Sequence, residues 1–156
     1  MNGGIEIRRF GYGHRRPEGP AGSRGVQAAL IHADGRGTIS ELAFARKAVI
    51  EPHTNPNLAW FIVIEGGGFV RVGEETVRVF AGEAVKWPPE VVHGASTDVS
   101  EMRALVVELV GDEDSLLGIV DGAVLGLDAG PVEKGEGALA DDRPAGGYDP
   151  AEGEPV

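Results

Sequence analysis

Between Val26 and Val110 the apolar residues fall in short runs, each broken within a few positions by glycine, proline or charge. Short β-branched and aromatic runs with regular turn residues between them predict an all-β sandwich or barrel. Strands are expected near Val26–His32, Thr38–Ala43, Ala48–Glu51, Trp60–Glu65, Gly68–Val72, Thr76–Phe80, Ala84–Trp87, Val92–Thr97 and Arg103–Val110. Asp34-Gly35 marks one turn, and Gly73-Glu74-Glu75 folds one strand back on the next as a hairpin. Gly66-Gly67-Gly68 reads as a further turn between strands, and a phosphate-cradling role is not expected of it.

One run differs from the rest. Trp60-Phe61-Ile62-Val63-Ile64 is apolar at every position, so both faces of this strand need cover. If Ala59 faces a barrel interior, so do Phe61 and Val63, while Trp60, Ile62 and Ile64 point outward. The outward set calls for the N-terminal segment or a second subunit.

Past Gly111 the pattern changes. Asp112-Glu113-Asp114-Ser115 suits a helix N-terminus, Leu116, Leu117, Ile119 and Val120 follow, and Gly122 ends the run. From Ala129 onward the chain is rich in glycine, proline, alanine and acid, with almost no large apolar residue except Tyr148. The expected organisation is an N-terminal arm (1–25), a β-barrel (26–111), a short helical segment (112–128) and an irregular acidic tail (129–156).

The length of 156 residues fits one domain with a core of useful size. There is no cysteine, which excludes disulfides, thiolate metal sites and cysteine nucleophiles. A net charge of −11 argues against nucleic acid as a partner. No apolar run approaches a membrane span and the first residues lack the features of a signal peptide, so a cytoplasmic protein without a membrane partner is expected. Arginines gather in the N-terminal stretch and acids in the C-terminal one, so the two ends could attract one another.

The candidate chemistry lies in two segments. His53 heads His53-Thr54-Asn55-Pro56-Asn57-Leu58-Ala59, and Gly66 follows at the end of the next strand. His93 closes Gly82-Glu83-Ala84-Val85-Lys86-Trp87-Pro88-Pro89-Glu90-Val91-Val92-His93. Together they resemble the two motifs of the cupin superfamily, G-x5-H-x-H-x3-4-E-x6-G and G-x5-P-x-G-x2-H-x3-N. His53, Gly66, Gly82, Pro88 and His93 match. Asn55 stands at the second histidine, Ala59 at the glutamate, Lys47 and Glu90 at two glycines, and Thr97 at the final asparagine.

The resemblance implies an all-β, double-stranded β-helix of the jelly-roll type, with the short C-terminal helix and irregular tail appended, and a homodimer. It also implies a small-molecule pocket whose wall includes His53, Asn55, Asn57, Phe61, Trp87 and His93. In the family, imidazoles and a carboxylate hold Fe, Mn, Cu, Ni or Zn with positions left open for substrate. Here His53 and His93 remain as metal ligands, Asn55 offers a neutral carbonyl oxygen and Ala59 offers nothing. Glu51 and Glu108 are substitute carboxylates to consider, although an outward, solvated position is the first expectation for both. His32 is a minor candidate ligand, His14 has no assigned role, and Lys86 is expected in solvent. Three functions stay open: a small-molecule-binding protein with a degenerate site, a metal-dependent oxygenase or isomerase, and a metal-free histidine acid–base epimerase or isomerase.

Overall fold

The computed structural model describes residues 3–111. Seven strands follow in order: β1 (Ser23–Asp34), β2 (Gly37–His53), β3 (Leu58–Val72), β4 (Glu75–Phe80), β5 (Ala84–Trp87), β6 (His93–Ser96) and β7 (Met102–Leu109). All pair antiparallel. The first halves of β2 and β3 lie with β1, β5 and β7 in one layer, where β7 pairs with both. Their second halves lie with β4 and β6 in the other, where β6 pairs with both. The two long strands thus pass from layer to layer and close an all-β jelly roll. Among the described residues no helix is long and apolar enough to cross a membrane. The expected helix at 112–128 and the tail at 129–156 fall outside the described residues.

Two expected strand pairs turn out to be single bent strands. Thr38–Ala43 and Ala48–Glu51 are parts of β2, and Trp60–Glu65 and Gly68–Val72 are parts of β3. Gly66-Gly67-Gly68 is therefore strand interior, not a turn between strands. Each bend has a local cause. At β3 the register shifts between Val63 and Glu65, and Gly66 takes a φ of 72° where a Cβ would collide with the Glu101 carbonyl oxygen. At β2 the Thr97 hydroxyl accepts from Ala48 N–H at 2.9 Å and donates to the Ala45 carbonyl at 2.5 Å. Lys47 N–H donates to the Asp98 carbonyl at 3.0 Å across the same bend.

The barrel interior follows from alternation along β3. Ala59, Phe61 and Val63 are buried inward, while Trp60 and Ile62 are half-buried on the outer face. Phe44, Phe61 and Trp87 form an aromatic column, with centroids 6.0 Å and 4.9 Å apart, in a core that also holds Met102 and Val70. Outside, Glu41 of β2 is fully buried beneath the N-terminal arm. It accepts from Gly11 N–H, from two nitrogens of Arg15 and from Arg103 at 2.8–3.0 Å. Burial alone would raise its pKa, but the hydrogen bonds from Arg15 and Arg103 win and hold it below 4.5. The N-terminal segment thus covers the outer face at Glu41, while Ile64 of β3, one of the residues expected to need cover, is exposed.

Lys47 and Glu90, the residues standing at two motif glycines, have φ of 57° and 65°. The backbone keeps the left-handed conformation that glycine would supply, at a cost of about 1 kcal/mol each. Lys47→Gly and Glu90→Gly are each expected to stabilise the fold by about 0.5 kcal/mol, the strain relieved less the extra freedom of the unfolded chain. Chemical denaturation measures this, and a loss of 1 kcal/mol or more in both variants would contradict the strain reading.

Candidate functional site at the barrel mouth

His53 and His93 end up opposite one another because β2 and β6 pair with His53 directly across from His93. Their rings meet edge to face with centroids 4.5 Å apart. His93 is buried and stacks on the Trp87 indole at 4.1 Å, with 12° between the planes. His53 is exposed and forms the rim of the mouth rather than its interior.

Backbone carbonyls fix both imidazoles. In its neutral form His53 donates from Nδ1 to the Glu51 carbonyl at 2.9 Å, and His93 donates from Nδ1 to the Val91 carbonyl at 3.1 Å. Each ring is thereby held in the tautomer that leaves Nε2 as a bare acceptor. Burial, then the neighbouring His53, pushes the pKa of His93 below its ordinary 6.5; the Val91 carbonyl and the Glu108 carboxylate pull upward without overcoming them. His93 is neutral at pH 7.

The other expected wall residues take distinct places. Asn55 Oδ1 accepts from Asn57 N–H at 2.8 Å, and the Asn55 carbonyl accepts from Glu90 N–H at 2.8 Å. Asn55 thus knits the β2–β3 loop to the β5–β6 loop, so the two histidine-bearing segments are tied to each other. Asn57 Nδ2 donates to Glu108 Oε2 at 2.7 Å. Phe61 is fully buried, below Trp87. Trp87 is 4% exposed, and its indole N–H is buried with no hydrogen-bond partner among the described residues.

Glu108 corrects the sequence expectation of an outward carboxylate. Its cross-strand partner is Ala59, an inward residue, and antiparallel partners share a face. Trp87 is the partner of Ala59 on the other side. The small alanine therefore lies between an indole and a carboxylate, at the position where the motif has its glutamate. The alternation Met102, Ala104, Val106, Glu108 could have revealed this, but apolar Leu105, Val107 and Leu109 on the opposite parity hid it. Glu51 does behave as expected: it is exposed and pairs with Arg24 at 3.1 Å. His32 points to Asp34 at 2.8 Å on the outer edge and takes no part. Lys86, cross-strand from outward Trp60, lies on the outer face.

Residues 41–108 match the cupin domain family. The barrel is a cupin domain. Solved structures agree on the fold. The polyketide cyclase RemF from Streptomyces resistomycificus is 21% identical, with a TM-score of 0.58 over 69% of this chain and 82% of that one. A cupin-like protein from Thermotoga maritima is 22% identical, with a TM-score of 0.57 over 64% and 81%. An RmlC-like cupin from Shewanella frigidimarina is 21% identical, with a TM-score of 0.55 over 70% and 96%. None of the curated proteins matches the chain.

Measured against the metal site that cupins often carry, this mouth offers two imidazole nitrogens in ligating form and too little else. Ala59 contributes no donor, Asn55 Oδ1 already serves the loop, and Glu108 does not converge with the histidines. Among the described residues no three His, Cys, Asp or Glu side chains gather where a cation would sit. The donor set falls short of what a first-row divalent ion needs to be held firmly.

In an NMR titration the His93 imidazole is expected to ionise with a midpoint below 6.5. Because the folded value lies below the unfolded one, His93 lowers stability as pH falls below 6.5, where the unfolded chain takes up the proton first. Glu108→Gln should move the midpoint lower still, since it removes a negative charge that favours imidazolium. A midpoint unchanged in Glu108→Gln would mean that the carboxylate does not act on this ring.

Proposed function

We propose that the mouth of this cupin binds a small hydroxyl-bearing organic molecule, a phenol or a sugar, without a metal ion. The observation that carries this reading is the fixed tautomer of both histidines. His53 and His93 present Nε2 acceptors, and Glu108 adds a carboxylate acceptor close enough to influence His93. The buried donor in the same region is the Trp87 indole N–H. A wall rich in acceptors favours ligands that donate, and repels free carboxylates. A hydroxyl can both donate to an Nε2 and accept from the indole, relieving an unpaired donor whose burial costs about 1–3 kcal/mol.

The acid–base reading has less support. A catalytic dyad would have the carboxylate bonded to an imidazole, whereas Glu108 accepts from Asn57. The fold neighbours do not choose between binding and chemistry: one is named a polyketide cyclase and another a predicted oxalate decarboxylase.

Titration of the protein with catechol, glucose and benzoate, followed by ¹H–¹⁵N NMR, tests the proposal. A hydroxyl compound is expected to shift the Trp87 indole resonance saturably, with benzoate weaker, and His93→Gln should weaken that binding about tenfold or more. Benzoate binding at the mouth more tightly than both hydroxyl compounds would contradict it.

A further inference from the structure

At the end of the barrel opposite the histidines a concavity of about 900 Å³ opens on the surface. Its walls are the N-terminal arm, the bends of β2 and β3, β4 and the β6–β7 loop. Met102 at the start of β7 lines it, while Glu108 near the end of β7 lies at the mouth, roughly 20 Å away at about 3.3 Å per residue. The groove therefore cannot serve the mouth directly, and it stands independently of the function proposed there.

Four arginines line this groove: Arg15, Arg46, Arg78 and Arg103. Two are already engaged. Arg15 is paired with Glu41, and Arg103 bridges Glu41 and Glu65 at 2.9 and 2.7 Å. The charge of these two is offset by Glu41 and Glu65. The other two face no carboxylate at ion-pair distance among the described residues. Arg46 donates from Nε to the Val99 carbonyl at 3.1 Å, which leaves its terminal nitrogens unused. The Arg78 guanidinium lies over the rings of Phe80 and Phe69, 5.1 and 5.7 Å from their centroids. Stacking orients a guanidinium while leaving its N–H edge free for the fork geometry that a carboxylate matches.

The charge balance narrows the ligand. Against the four arginines stand Glu65 and Glu101 on the lining and Glu41 behind it, so one positive charge remains uncompensated. That is notable on a chain of net charge −11. A second negative charge on a ligand would meet Glu101 unopposed. Apolar surface is present beside the arginines, from half-buried Phe80 and from Val99, which is 74% exposed. The volume lies in the range of small-molecule sites, roughly 300–1,000 Å³.

We infer that this groove is a second ligand site, for an organic monoanion: a carboxylate held by Arg78, with Arg46 adding to the field, and an apolar body laid against Phe80 and Val99. The mouth and the groove then have opposite preferences, acceptors at one end of the barrel and cationic donors at the other.

The test is calorimetric titration of the full chain with octanoate, with octanol and inorganic phosphate as probes of each half of the chemistry. Octanoate is expected to bind saturably and about tenfold or more tighter than either. Arg78→Gln should lose about tenfold or more, Arg78→Lys should fail to restore it for want of the fork, and His93→Gln should change nothing. Arg78 is exposed, so its variants are expected to fold; the Arg78 Nε–H resonance of the unaltered protein provides a check that needs no substitution, shifting on addition of octanoate. Absence of saturable octanoate binding, equal affinity for octanol, tighter binding of phosphate, or indifference to Arg78→Gln would each overturn the inference.

Discussion

The period-two alternation of β3 is the constraint on which the rest of the barrel depends. This strand pairs with β4, β5, β6 and β7, so its parity sets the parity of both layers. With Ala59, Phe61 and Val63 inward, the cross-strand rule carries Trp87, Glu108, Val106 and Ala104 inward with them. A slip of one residue would place Trp60 and Ile62 inside and turn Glu108 and Trp87 to solvent. The glycine-dependent bend at Gly66 lets the same strand change layers without losing that pattern.

The chemistry of the mouth follows from one small residue held in this frame. Position 59 holds an alanine between Trp87 and Glu108, where the cupin motif places a carboxylate. The Glu108 carboxylate approaches from the neighbouring strand but is held by Asn57, and does not stand in for the missing ligand. What survives is the posture of the site: two imidazoles locked through Nδ1, one stacked on an indole, and loops tied together by Asn55. A wall built to present nitrogen lone pairs has lost the anion that would make it grip a cation.

Much of the fold was legible in the residues. Turn chemistry located the hairpin at Gly73-Glu74-Glu75, alternation from Ala59 placed Phe61 and Val63 inward with Trp60 and Ile62 outward, and the motif spacing fixed which histidines meet. The failures have separate physical causes. Glycine punctuation looks the same whether it ends a strand or bends one, so β2 and β3 were each divided in two. Lys47 and Glu90 stand at motif glycines, but neither residue type signals that the glycine backbone conformation is kept there. The inward face of Glu108 was masked by apolar residues on both parities of β7. Glu41 was invisible for a different reason: its burial depends on Arg15 and Arg103, which come from distant parts of the chain and converge only in three dimensions.

Whether the two histidines hold a metal is decided by metal content per chain, measured on protein purified without chelator or immobilised nickel. No stoichiometric Fe, Mn, Cu, Ni or Zn is expected, and only weak, readily dialysed uptake when ions are added in excess. About one firmly held equivalent of any of these metals would contradict that expectation, for it would mean that His53 and His93 find the further donors that Ala59 and Asn55 do not supply.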